Sequence, residues 1–194
     1  LRSLIDNCPE IHNNNTNTAD VQGHGTATAG TAAAVGNNSL GVAGAVWNCK
    51  ILPGRISDDD GSAYSDTIAA AIKWAADYGA KVINCSFGPL QGDSVIENAA
   101  NYARGKGSLV FVSAGNDGLR DNAPRSANIV YVSATDANDS VVSWSTYGPA
   151  IKIAAPGNRI LTTTRGGGYS YFSGTSFSSP LAAGVAALIW SQNP

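Results

Sequence analysis

The sequence predicts an α/β domain, a mainly parallel β-sheet with helices on both of its faces. Three observations carry that prediction. Short, largely apolar runs (82–85, 109–113, 129–133) alternate with longer stretches of helical period, and strands without a polar face belong to parallel sheets covered on both sides. The chain is 43% hydrophobic over 194 residues, enough for one sizeable core, and its 22 glycines imply many turns and close backbone contacts. The segment 176–190 is apolar nearly all round, the pattern of a helix enclosed on most sides.

Taken in order, residues 1–23 are polar and Asn-rich and read as a surface loop. Residues 50–56 read as a strand. Over 64–78, Ile68, Ala71, Ile72 and Ala75 recur at helical spacing, with Ser65 placed to cap the helix. Then follow a strand at 81–85, a helix at 94–104, and strands at 109–113 and 129–133. The last third holds short strands at 151–154, 159–163 and 169–173 joined by Gly/Pro turns, and then the long apolar helix. No internal repeat or linker divides the chain, so one domain, 1–194, is expected.

Composition removes several function classes. Twelve basic against 14 acidic residues leave a formal net charge of −2, with no electrostatic footprint for nucleic acid or an anionic membrane surface. No apolar run approaches the roughly 20 residues that span a bilayer. Residues 1–17 lack the basic, apolar, small-residue order of a signal peptide. Cys8, Cys49 and Cys85 form no C-x-x-C and no Cys/His cluster, so zinc is not expected. Cys85, inside an apolar run, reads as a buried structural thiol, and Cys8 and Cys49 could pair only in an oxidising compartment. Gly23, Gly25 and Gly30 do not make a dinucleotide loop, because the stretch before them, 13–22, is polar rather than an apolar strand.

Three separated segments each set one polar residue among small ones at the edge of an element: GHGTATAG around His24, SAGND around Asn116, and GTSFSSP around Ser176. Acyl transfer needs a nucleophile, a base for its proton and a donor for the developing oxyanion. Serine, histidine and asparagine supply those roles, and flanking glycines admit a substrate backbone. Each segment alone reads equally well as a turn or a helix cap; their combination in one chain points to chemistry.

With VINCSFG and the longer YFSGTSFSSPLAAGVAALI, these segments resemble the subtilisin-like serine peptidases (subtilases), in the family's order and over roughly residues 20–194. Ala27 stands where a second histidine is common, and Phe177 where methionine is usual. The resemblance implies a serine endopeptidase working through an acyl-enzyme, with Ser176 as nucleophile, His24 as general base and Asn116 as oxyanion donor. It implies an extended polypeptide substrate held between Ser86, Phe87 and Gly88 on one side and Gly61, Ser62 and Ala63 on the other. Ser113, Ala114 and Gly115 would wall the primary specificity pocket. Pro89, at a position usually small, removes one N–H there, and no acidic pocket floor supports a preference for Lys or Arg.

The family's aspartate, in an Asp-Ser/Thr-Gly sequence about thirty residues before the histidine, has no counterpart among the 23 residues preceding His24. Asp6 has neither the spacing nor the following glycine, and solvation accounts for Asp20. The resemblance therefore implies a fragment without its Asp-bearing first strand and its C-terminal tail, partnered by that missing segment or a propeptide. The alternative is a catalytically impaired subtilase-like domain used for binding or structure. Gly36, Asn38, Leu40 and Val42 lie where the family holds a structural calcium, an oxygen-ligand site; no cofactor is needed for the chemistry. A secreted or extracytoplasmic protein is what the resemblance implies.

Overall fold

The computed structural model describes residues 11 and 16–193. Four helices and six strands follow in the order α1 (His24–Ala33), α2 (Ser65–Asp77), β1 (Val82–Cys85), α3 (Ser94–Gly105), β2 (Leu109–Ser113), β3 (Ile129–Thr135), β4 (Ile151–Pro156), β5 (Ile160–Thr163), β6 (Tyr169–Phe172) and α4 (Thr175–Gln192). Strands β1-β2-β3-β4 form a parallel sheet in that spatial order, and β5 and β6 form a separate antiparallel hairpin.

The period of two along the strands sorts side chains between two cores. Val110 and Val112 of β2, with Ile129 and Tyr131 of β3, face Ile68, Ile72, Ile96 and Ala99 of α2 and α3. Phe111 and Val132, one residue out of step, face Ala183 of α4. Helices therefore cover both faces, as the apolar strands require. Cys85 lies in the first core, and burial pushes its thiol up to about 12, so it is an inert packing group. Cys49 is half-buried, its thiol also raised by burial; Cys8 and Asp6 lie outside the described residues.

Four expectations are corrected. Residues 50–56 form no strand among the described residues, because a ladder needs a partner; only Arg55 makes an isolated bridge, and the Ile11 N–H donates to its carbonyl at 2.9 Å. Ser65 is the first residue of α2 rather than its cap. Tyr64 holds the cap position, and the Ser65 hydroxyl donates to Asp93 Oδ2 at 2.5 Å. Asp93 itself caps α3, Oδ1 accepting from the Val95 N–H at 2.8 Å. Third, α4 is enclosed only over its first half: Val185, Leu188, Ile189 and Trp190 are exposed, since the sheet and α1 cover one side only. Last, α1 has no counterpart in the expected elements, because HGTATAGTAA has no apolar period to reveal a helix.

What holds α1 is close contact with the hairpin. The Thr162 and Thr163 hydroxyls donate to the carbonyls of Ala27 and Thr26, each at 2.8 Å. A Cβ at Gly30 would stand 2.0 Å from Thr163 Oγ1 and 2.7 Å from Thr162 Oγ1, so only glycine allows the approach. Gly30→Ala is expected to destabilise by about 1–3 kcal/mol through overpacking. Urea unfolding that leaves the midpoint unchanged would contradict this.

Candidate active site

Each of the three polar residues is delivered by the end of a regular element. His24 is the first residue of α1. Asn116 follows the C-terminal end of β2, and Ser176 is the second residue of α4, after the buried Thr175. All three line one cleft of about 1860 Å³. The His24 ring lies edge-on to Phe177, centroids 6.0 Å apart, which sets the imidazole beside the start of α4.

Helix starts leave backbone N–H groups without intrahelical acceptors. At α1 these are taken by Asp20, whose Oδ1 accepts from the Gly23 N–H at 2.7 Å and Oδ2 from the Thr26 N–H and hydroxyl at 2.6 Å each. Solvation is therefore not what Asp20 is for. Burial alone would raise its carboxyl, but the Thr26 and Gly23 hydrogen bonds and the Arg165 charge outweigh that and hold it below the usual range. Asp20 is thus a cap that fixes the backbone carrying His24. Its signal in the sequence was an acidic residue ahead of a helix start, with a Thr six positions on.

At α4 the orientation of Asn116 follows from its partners. Its side-chain oxygen accepts from the Thr175 N–H at 2.8 Å and from the Thr175 hydroxyl at 2.9 Å. A backbone N–H can only donate, so the amide oxygen must face Thr175 and the NH₂ must face away. The Thr175 hydroxyl also accepts from the Gly115 N–H at 3.1 Å. Thr175 was missed in the sequence because a threonine beside the serine reads as an ordinary cap residue.

Gly174 lies beside the Asn116 and Ser176 nitrogens. A Cβ there would lie 3.6 Å from Asn116 Nδ2 and 3.7 Å from the Ser176 nitrogen. Its φ of 153° and ψ of 154° fall in a region almost closed to other residues, so the space beside the two N–H groups stays open.

Among the described residues no carboxylate is within ion-pair or hydrogen-bond distance of His24. Burial lowers its pKa below 6.5, and the more distant Asp20 charge opposes this without prevailing. Burial therefore favours the neutral ring, the form a base requires. In this chain its NMR titration is expected below 6.5, and Asp20→Asn should move it lower still. Between the lowered folded value and the unfolded one the unfolded chain binds more protons, so stability rises with pH there. A titration at or above 6.5 would overturn that reading.

The predicted substrate residues divide. Ser86, Phe87, Gly88, Gly61, Ser113 and Gly115 line the cleft. Ser62 and Ala63 are absent from its lining; the Ser62 N–H is held by the carboxylates of Asp58 and Asp60 at 2.8 and 2.9 Å. Ala114 is fully buried, its carbonyl accepting from Gln91 Nε2 at 2.6 Å. The cleft continues between residues 50–56 and β1, whose second edge has no ladder partner among the described residues. That is room for more than a small ligand, whose pockets run to about 300–1,000 Å³.

The expected calcium loop, Gly36 to Val42, lines with Ala43 a hollow of about 360 Å³. Asn38 Oδ1 accepts from the Leu40 N–H at 3.1 Å, and the loop contains no carboxylate. Among the described residues no cluster of three His, Cys, Asp or Glu side chains could hold a metal. The loop itself offers only neutral oxygens, its backbone carbonyls and the side chains of Asn37, Asn38 and Ser39.

A helix-borne hydroxyl, an imidazole and a side-chain amide therefore line one cleft. The chain belongs to the subtilase family, whose model matches residues 3–194. It is 46% identical over 172 residues to thermitase of Thermoactinomyces vulgaris, covering 88% of this chain and 62% of thermitase. It is 45% identical to the thermophilic serine proteinase of Bacillus sp. strain AK1, covering 89% of this chain and 44% of that protein. A crystal structure of a cold-adapted subtilisin-like serine proteinase superposes with a TM-score of 0.83 at 29% identity, over 99% of this chain and 69% of its own. The chain thus spans between 44% and 62% of the length of these two curated relatives. Among the described residues no helix is long and apolar enough to cross a membrane.

Proposed function

We propose that this chain is the main part of a serine endopeptidase domain that cleaves extended polypeptides through an acyl-enzyme. The observation that carries the reading is that Asn116 Nδ2 and the Ser176 nitrogen both lie beside the space that the side chain of residue 174 would fill. In the proposal, Ser176 Oγ attacks the scissile carbonyl and its proton passes to His24. The carbonyl oxygen, now anionic, is held by those two donors, helped by the positive end of α4. His24 then returns the proton to the leaving amine, and water repeats the sequence to release the acid. The substrate backbone lies along Ser86, Phe87 and Gly88, with Gly61 opposite and Ser113 and Gly115 beside its side-chain pocket.

The carboxylate that orients His24 is assigned to a segment outside the described residues. It would dock as a strand in the cleft along the open edge of β1, opposite residues 50–56. A protein completed in this way would act outside the cytoplasm. Calcium, if held by Asn38 and the carbonyls of Gly36, Leu40 and Val42, would need carboxylates from the same added segment. One observation favours a second reading, in which this stretch alone is an impaired subtilase-like domain: both Asp20 oxygens are spent on the cap of α1.

The test is covalent labelling by a fluorophosphonate of the chain with its companion segment. Label is expected on Ser176, and an equal labelling rate in Ser176→Ala would sink the assignment. Asn116→Ala is expected to lower kcat by about 10²–10³ with little change in KM, since its N–H acts on charge present only in the transition state. That magnitude is the one known for subtilisin and is carried over rather than calculated. Steady-state kinetics showing an unchanged kcat would remove Asn116 from the mechanism.

A further inference from the structure

Pro180 is fully buried inside α4, at a position where a helical residue would send its N–H to the carbonyl four residues back. That carbonyl belongs to Ser176. Proline has no N–H to give, so the residue proposed as nucleophile sits at a defect in its own helix. The Ser86 hydroxyl donates to this same oxygen, Ser86 Oγ to Ser176 O, at 2.8 Å. Ser86 Oγ in turn accepts from Asn84 Nδ2 at 3.0 Å, and Asn84 Oδ1 accepts from the Ser179 hydroxyl at 2.7 Å. The chain of bonds leaves α4 at Ser176, crosses the C-terminal end of β1, and returns to α4 one residue before the proline.

We infer that Ser86 is a positioning residue, its hydroxyl replacing the helical donor that Pro180 removes. Ser176 is then pinned on both sides. The peptide between Gly174 and Thr175 is held through the Thr175 N–H by Asn116, and the peptide that follows Ser176 through its carbonyl by Ser86. Ser176 Oγ also rests toward the Ser86 carbonyl, at 3.4 Å, so the same residue holds the hydroxyl while it waits. This role is separate from backbone pairing with substrate, which a side-chain change at 86 leaves in place. The inference rests on the reading of Ser176 as nucleophile.

The experiment measures kcat and KM on a peptide anilide for the complete protein and for Ser86→Ala, Ser86→Thr, Pro180→Ala and the double variant Ser86→Ala/Pro180→Ala. Losing one such hydrogen bond should lower kcat about tenfold in Ser86→Ala. KM should change less than about twofold, and Ser86→Thr, which keeps the hydroxyl, should recover most of the rate. In the Pro180→Ala background residue 180 has its N–H again, so removing the Ser86 hydroxyl should cost less than about twofold. An equal loss in both backgrounds, or a loss confined to KM, overturns the inference. If Pro180→Ala does not fold, failure of Ser86→Thr to recover the rate overturns it alone. Activity surviving in Ser176→Ala would instead refute the nucleophile reading, and is measured beside the others.

Discussion

Ser176→Ala in the complete protein is expected to lower kcat by about 2 × 10⁶, the loss known for the nucleophile of subtilisin and carried over from it. The effect is the largest expected here because, in the proposed mechanism, Ser176 is the group that forms the acyl bond. Fold and binding should survive, because Ser176 is only partly buried and its side chain makes one long hydrogen bond, to the Ser86 carbonyl. Substrate binding should therefore stay within a few-fold, read from the inhibition constant of an uncleaved peptide. What activity is left would come from the donors around Gly174 acting on water attack. A variant that retained burst kinetics with a peptide ester would show another nucleophile, and the proposed mechanism would be wrong.

Under the proposed function, the 194 residues by themselves are expected to turn over a peptide anilide about 3 × 10⁴-fold more slowly than a protein that also carries the proposed carboxylate segment, the size of the aspartate's contribution in subtilisin. His24 is the reason. Burial favours its neutral form, but no carboxylate among the described residues is placed to fix its tautomer or to stabilise an imidazolium formed during attack. Adding the segment should restore the rate and raise the pKa of His24, since a nearby anion favours the charged form. The companion measurement changes that aspartate to asparagine in the complete protein, where the same loss should appear with folding intact by circular dichroism. Full activity of the isolated 194 residues would mean that Asp20, Asp6 or water does the work assigned to the missing carboxylate.

Much of this protein was legible in its residues because the signals were local. Apolar runs at 109–113 and 129–133 can only be strands buried on both faces, and β2 and β3 are that. Helical spacing across 64–78 and 94–104 marks α2 and α3 for the same reason, that a one-sided apolar stripe has to be buried. His24, Asn116 and Ser176 stood out because each is a polar group framed by small residues where an element ends.

What the tertiary structure decided were matters of partnership between distant residues. Residues 50–56 have the composition of a strand, yet a strand exists only when a neighbour takes its N–H and C=O groups. Helix α1 has no apolar period and is held by Thr162 and Thr163, more than a hundred residues away. The orientation of Asn116 depends on Thr175, 59 positions along the chain, and the Ser176 carbonyl on Ser86, 90 positions before it. Residue types and spacing along the chain therefore determined which groups could react, since reactivity and helical or strand period are local properties. Folding decided which way those groups point, because a hydrogen bond is set by distance in space and not by distance in sequence.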